Sequence, residues 1–417
     1  MAFRWHPNQD PPIIEEHSRA KPTVLRHYLR AYFDTLSVNP GQERFRLDLV
    51  DGFAGGGTFL DGGKILSGTP LIMLEEGLAA SDRLNQNRNK PLHFDCKCYF
   101  VDKNEAHTDH LRQALDERGY DTGGDQIVIR NGRFEDELEA ILKEIQRRQP
   151  RAGRAIFLLD QTGFSQVALR LVSRIFAELA AAEVILTFAA DALINHLADV
   201  PQFTKAVAPL EITESQVKEL MQQRSGNGGR ALVQRTLRDQ IRNGAGATYD
   251  TPFFIRPQKS RRALWFLHLS RHPKARDVMV QRHWEVLNTF EHYGPGDFGI
   301  LGWDALKDPS QLPLFNFGSL EEEQMKERLL SSLPKRLFSL TSAGPVTLDA
   351  VRHSLANETA ARFSDLDDVV IQLVGEREFI ILSPDGKPRS RNLRNLQPTD
   401  RIALPPTSLF PEFSRIG

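Results

Sequence analysis

The stretch Asp48-Leu49-Val50-Asp51-Gly52-Phe53-Ala54-Gly55-Gly56-Gly57-Thr58 decides the fold. With Phe45-Arg46-Leu47 ahead of it, it reads as an apolar strand running straight into a glycine turn. Three consecutive glycines let the backbone approach a ligand without Cβ clashes and admit positive φ angles. Such a corner also serves as a plain strand-to-helix turn, so the strands that follow carry the decision.

Upstream, residues 15–36 hold Val24, Leu25, Tyr28, Leu29, Tyr32, Phe33 and Leu36 at helical spacing, which predicts an amphipathic helix before the first strand at 45–52. Downstream, the pattern predicts a Gly-rich loop over 61–69, helices over 70–80, 104–118, 135–149 and 169–182, and strands over 94–101, 126–130, 155–159 and 184–188. Alternation at this spacing gives a parallel sheet covered on both faces, with the C-terminal strand ends on one rim. Residues 191–246 read as a mostly polar, helical insertion, and 252–256 with 263–270 as a closing strand pair before a helix at 274–287.

Beyond a Gly- and Pro-rich linker at 291–319, helices are expected over 320–333, 347–356 and 364–374. Strands at 378–382 and 391–396 then flank the turn Pro384-Asp385-Gly386-Lys387. Three helices followed by a hairpin is the winged-helix order. The expected organisation is an N-terminal arm at 1–14, a doubly wound α/β domain at 15–290, the linker, and a winged-helix-like α+β domain at 320–417.

Composition narrows the class. No run of about 18 apolar residues occurs, so no membrane span is expected. The polar, proline-bearing residues 1–12 lack the apolar core of a secretory signal. Cys96 and Cys98 stand one residue apart, awkward geometry for a mutual disulfide, and a reducing cytoplasmic location follows most easily. No metal-ligand spacing is present, so no metal is expected. The net charge of −1 announces no polyanion, but Arg256, Lys259, Arg261, Arg262, Arg271 and Lys274 crowd one segment and form a candidate footprint for nucleic-acid phosphates. A solvated face balanced by acidic helices explains the same cluster.

Four rim positions carry the candidate chemistry. Asp51, Phe53, Ala54, Gly55 and Gly57 follow the first strand, where an acid and a glycine turn suit the amino-acid end of S-adenosylmethionine better than a pyrophosphate, since no P-loop lysine is present. Asp102, followed by Lys103, ends the second strand, where a carboxylate accepts hydrogen bonds from ribose hydroxyls. Arg133 and Phe134 follow the third and would border an adenine. Asp160, Gln161 and Phe164 follow the fourth, the candidate catalytic position, with Asp160 orienting the acceptor. Singly, each acid is more often a helix cap or a surface charge; together, at successive strand ends, they are harder to dismiss.

The order of DGFAGGG, YFVDKN, NGRFED and FLLDQTGF resembles the class I S-adenosylmethionine-dependent methyltransferases, with a seven-stranded, mostly parallel sheet and a late antiparallel strand. Phe53-Ala54-Gly55-Gly56-Gly57 matches the F-x-G-x-G pattern of the branch that modifies DNA and RNA bases. More closely, the chain resembles the bacterial three-Cys-motif partner proteins, through Lys21, DGFAGGG, Gly68-Thr69-Pro70-Leu71, FVDKN, FLLDQTGF and the later Ala275, Val278-Met279 and His283-Trp284. That resemblance implies S-adenosylmethionine as cofactor and a radical-S-adenosylmethionine-like companion as partner. Amino-methyltransferases of bases carry D/N-P-P-Y/F after strand four, where this chain has Asp160-Gln161-Thr162-Gly163-Phe164. The departure leaves two expectations open: a methyltransferase acting on nucleic acid, or a catalytically silent scaffold of that fold in a two-protein, defence-type system.

Overall fold

The computed structural model describes residues 3–15, 19–161, 167–198, 200–225, 229–255, 264–285, 291–293, 314–316, 319–389 and 393–406. The chain divides into two compact units, residues 1–292 with 301–311 and residues 293–300 with 312–417. In the first unit, helix α1 (Ala20–Leu36) precedes strand β1 (Arg44–Asp51), the hairpin β2 (Thr58–Asp61) and β3 (Lys64–Ser67), and helix α2 (Thr69–Asn85). Strand β4 (His93–Asp102), α3 (Glu105–Asp116), β5 (Ile127–Asn131), α4 (Phe134–Arg148), β6 (Ala155–Leu159), α5 (Leu169–Glu178) and β7 (Ala182–Phe188) then alternate. The insertion holds α6 (Ala190–Asn195), α7 (Pro201–Val207), α8 (Glu214–Ser225) and α9 (Gly229–Ala245), and β8 (Tyr249–Ile255), β9 (Leu264–Ser270) and α10 (Pro273–Glu285) close the unit. A short β10 (Glu291–Tyr293) adds to β8 through Glu291 and Phe254.

Seven strands run in the order β5-β4-β1-β6-β7-β9-β8. All pair in parallel except β9, which is antiparallel to both β7 and β8. Right-handed crossovers place α2 and α3 on one face and α4 and α5 on the other. Helix α1 packs against α2 and α10, and α5 against α4 and α9, extending these two layers. Strand β1 lies at the centre with nearly every side chain buried, as a parallel strand covered on both faces must be.

One residue of β1 breaks that apolar rule. Asp48 is fully buried and is held by the guanidinium of Arg148 and, at 2.6 Å, by the Gln149 amide from the end of α4. Arg148 also donates to Asp95 on β4, which pairs in turn with Arg46. Burial pushes the Asp48 carboxyl up to about 6, opposed by Arg148 and Gln149.

The expected Gly-rich loop over 61–69 is instead the β2–β3 hairpin. Asp61 pairs with Lys64, and Gly62 and Gly63 have φ of 54° and 83°. Two consecutive positive φ values are the signature of the two-residue turn whose twist matches paired strands. Helix α1 is described from Ala20, short of the expected start at residue 15.

The second unit begins with β11 (Leu314–Asn316), followed by α11 (Ser319–Thr341), β12 (Val346–Thr347), α12 (Leu348–Leu355), α13 (Phe363–Gly375), β13 (Ile380–Leu382) and β14 (Arg401–Ala403). Three of these strands form an antiparallel sheet ordered β12-β14-β13. Helix α11 runs eight residues past the expected stop at 333, through Pro334. An internal proline costs about 3 kcal/mol. Met325, Leu329, Leu333 and Leu337, all buried at four-residue spacing, outweigh it. The expected strand at 391–396 is not formed by its described part, where Leu393–Asn395 is a single 3₁₀ turn. The partner of β13 lies further on, at β14, and Arg389 clamps Asp400 across the intervening loop.

Removing one member of a buried ion pair costs about 3–5 kcal/mol, because the other is left uncompensated. Arg148→Met is therefore expected to lower stability by about that amount at pH 8 in chemical denaturation. Since Asp48 titrates above an unfolded carboxyl, it is neutral at low pH. The loss should accordingly be smaller at pH 5 than at pH 8.

Candidate active site at the strand ends

Register brings the candidate acids together. Asp51 pairs with Phe100 on β4 and with Leu158 on β6, so Asp102 and Asp160 each stand two residues beyond the level of Asp51 on its two sides. Asp51 is fully buried, accepting from Thr69 Oγ1 at 2.5 Å and from the Phe53 N–H at 3.1 Å. Burial raises its carboxyl to about 7; those hydrogen bonds oppose the rise, and the neighbouring charges of Asp160 and Asp102 add to it.

Asp102 is held differently. It accepts from Gly55 N–H at 3.0 Å and Asn104 N–H at 2.8 Å. His107 Nδ1 lies 3.2 Å away, off the line of a good hydrogen bond. Burial works to raise its carboxyl, but His107 and the two N–H groups outweigh it and hold Asp102 below the usual carboxylate range. Asp160 faces Lys21 of α1, whose Nζ lies 2.6 and 2.9 Å from its two carboxylate oxygens.

The glycine turn is locked from several sides. Ala54 N–H donates to Val101 O at 3.0 Å, fastening the turn to the end of β4. Gly55 and Gly57 have φ of 59° and 79°, conformations other residues rarely adopt. A Cβ on Gly57 would stand 2.5 Å from Leu111 and 2.8 Å from Leu71, so the turn presses into α2 and α3. Against Gly55 and Gly56 lies Trp5, a residue the sequence reading did not single out. A Cβ on Gly56 would meet its Cγ at 2.2 Å. Trp5 Nε1 donates to Thr58 O at 2.7 Å, and its ring meets His107 and Phe59 edge-on. The arm that carries it is fixed by Ile14 N–H to Leu60 O and Leu60 N–H to Pro12 O, both at 2.9 Å.

Other expected site residues are placed as follows. Phe134 is buried, with its ring against Gly52 and 6.3 Å from Phe53, so it packs beneath the turn. Arg133, exposed at the start of α4, pairs with Glu135 at 2.5 Å, and Lys103 is exposed between Asp102 and Asn104. Gln161 is buried, and its Oε1 accepts from Val167 N–H at 2.9 Å, holding the approach to α5. Phe164, Arg256, Lys259, Arg261 and Arg262 lie outside the described residues.

Arg271 and Lys274 lie away from this rim. They follow β9, whose last residue, Ser270, pairs with Glu183 at the start of β7, the opposite edge of the sheet from Asp160. Arg271 donates to the carbonyls of Phe176 at 2.6 Å and Gly246 at 3.1 Å, and Lys274 pairs with Asp277 at 3.0 Å. Their place at that edge follows from the reversed direction of β9. Among the described residues no cluster of His, Cys, Asp and Glu is placed to hold a metal, and no helix is long and apolar enough to cross a membrane.

The residues present fit the cationic and hydroxyl-bearing parts of S-adenosylmethionine. Buried and half-buried carboxylates at adjacent strand ends suit an ammonium, a sulfonium and ribose hydroxyls, and Asp102 keeps acceptor capacity beyond its present contacts. Anionic ligands are disfavoured there.

No family model matches the chain, and no curated protein matches it. Solved structures similar to it include a Legionella pneumophila protein, at 7% identity over 60% of this chain and 85% of that one, with a TM-score of 0.31. The bifunctional kinase-methyltransferase WbdD is similar at 12% identity over 61% of this chain and 39% of its own, TM-score 0.31. The plantazolicin methyltransferase BamL, solved in complex with a triazolic desmethylPZN analog and SAH, is similar at 11% identity over 61% of this chain and 86% of its own, TM-score 0.24. What the rim can do therefore rests on its own geometry.

Two outcomes follow from that geometry. Trp5→Ala removes a buried aromatic, a change worth about 3–5 kcal/mol in a core. It should release the arm, seen as faster amide exchange over 54–60 while β1 and β4 keep their protection. Asp51 has a raised carboxyl, so its contribution to stability is full below about pH 4 and is lost as pH rises through about 7. Asp51→Asn should consequently melt at a higher temperature than the parent at pH 8, with the gap closing towards pH 4.

Proposed function

We propose that this chain binds S-adenosylmethionine at the β1–β4–β6 rim and is a methyltransferase. The observation that carries the reading is the convergence of Asp51, Asp102 and Asp160 around the glycine turn on a sheet ordered β5-β4-β1-β6-β7-β9-β8. Asp51 and the turn at Phe53, Ala54, Gly55 and Gly57 would hold the methionine portion, and Asp102 the ribose hydroxyls. Lys103, Arg133 and Phe134 would border the adenine, with Phe134 acting from beneath. The bound cofactor supplies an activated methyl group on a cationic sulfur, so the chain's task is to orient the acceptor in line, a task assigned to Asp160 with Gln161 and Phe164.

Nucleic acid is the proposed acceptor, approached by Arg256, Lys259, Arg261 and Arg262. Ile255 and Leu264, which bracket that segment, lie at the rim where β7 ends. Arg271 and Lys274, at the far edge, would contribute only to a longer contact path. The helix and strand order of the second unit supports a winged-helix-like domain for docking nucleic acid or a protein companion of the three-Cys-motif kind.

A second reading has its own support. Trp5 covers one side of Gly55 and Gly56, and Lys21 already neutralises Asp160. Both contacts favour a silent scaffold in a two-protein system, or an enzyme held closed until its partner binds.

Calorimetric titration with S-adenosylhomocysteine separates these readings from an unrelated fold. Binding is expected, and Asp102→Ala should weaken it at least about tenfold, the effect of losing charge-assisted hydrogen bonds. No binding by the parent would sink the cofactor reading. Transfer of labelled methyl groups to mixed DNA and RNA, abolished by Asp160→Ala, would exclude the scaffold.

A further inference from the structure

Lys21 is in the wrong place for its own helix. It is the second residue of α1, whose first turn carries no acidic side chain and no side-chain cap. The positive end of the helix dipole disfavours a lysine there. Its placement is explained by Asp160, which it grips with one ammonium across both carboxylate oxygens. The pair is not sealed in, since the Asp160 side chain keeps 29% of its exposure and that of Lys21 12%. A partly exposed pair of this kind is weakly held and can be exchanged by an incoming donor.

We propose that the Lys21 ammonium occupies the position of the acceptor's nitrogen, and that the acceptor is a nitrogen nucleophile whose N–H groups displace Lys21 from Asp160. The inference rests on the cofactor reading above. Asp160 stands on the strand beside β1, adjacent to the turn that would carry the methyl donor, and is oriented by Lys21 alone among the described side chains that ion-pair with it. With Asp51 and Asp102 close by, three acids lie near this cation among the described residues, so the rim favours an N–H donor over a hydroxylate or a phosphate. An oxygen nucleophile would have to approach a carboxylate as another acceptor once its proton is lost; an amine keeps a donor for Asp160 throughout its approach.

The probe is sinefungin, the cofactor analogue in which an amine-bearing carbon replaces the methylated sulfur, compared with S-adenosylhomocysteine, which has nothing at that position. Both are titrated calorimetrically into the full chain, into Lys21→Met and into Lys21→Arg, with thermal melts confirming that each is folded. Lys21→Met should bind sinefungin about tenfold more tightly than the parent, the scale of one charge-assisted hydrogen bond, while S-adenosylhomocysteine changes by less than about threefold. Lys21→Arg, which keeps the cation, should behave as the parent does. Equal changes for both ligands, or no gain for sinefungin while S-adenosylhomocysteine still binds, overturn the inference alone. Failure of S-adenosylhomocysteine to bind parent and variants overturns the cofactor reading and this inference with it.

Discussion

A carboxylate buried at the end of the central strand sets the terms for everything around it. Asp51 has no exposure and, among the described residues, no cation of its own; it is kept by a hydroxyl and one backbone N–H. Two further acids arrive beside it because the parallel register of β1 with β4 and β6 leaves no alternative. The three are managed by three unlike means: Asp51 is partly neutralised, Asp102 is satisfied by two backbone N–H donors, and Asp160 is matched with a lysine from outside the sheet. A rim that were only structural would be cheaper with apolar or amide side chains at these ends.

The sheet was legible because its evidence is periodic. Short apolar runs repeat at the spacing of a parallel crossover, the first four ending in Asp51, Asp102, Asn131-Gly132 and Asp160, and the strands stand close to where that spacing and the closing pair put them. Boundaries failed where a tertiary contact overrode a local signal. Pro334 reads as a helix stop, yet the Met325–Leu329–Leu333–Leu337 stripe carries α11 through it. Gly62 and Gly63 read as loop residues, yet both take the positive φ of a hairpin turn.

The site was legible in part, and along the same line. Asp51, Asp102 and Asp160 could be found because strand ends are sequence-local features. Trp5 could not, since nothing in residues 1–12 announces that an indole will be seated on a turn fifty residues away. The Lys21–Asp160 pair spans 139 positions and is equally invisible to pattern. Arg271 and Lys274 show the limit of sequence proximity, since the antiparallel run of β9 ends beside Glu183, at the edge of the sheet opposite Asp160.

The arm has a consequence for how the chain assembles. Its seat is made of Thr58, Phe59 and the edge of His107, elements that do not exist when residues 3–14 leave the ribosome. The arm can therefore dock only after β2 and α3 have formed, although it precedes both in the chain. That order leaves the glycine turn open during assembly and covers it only when the rim is complete. Once seated, the Trp5 indole stands edge-on to an imidazole whose Nδ1 lies 3.2 Å from Asp102, so the arm is packed one side chain away from the acid at the end of β4.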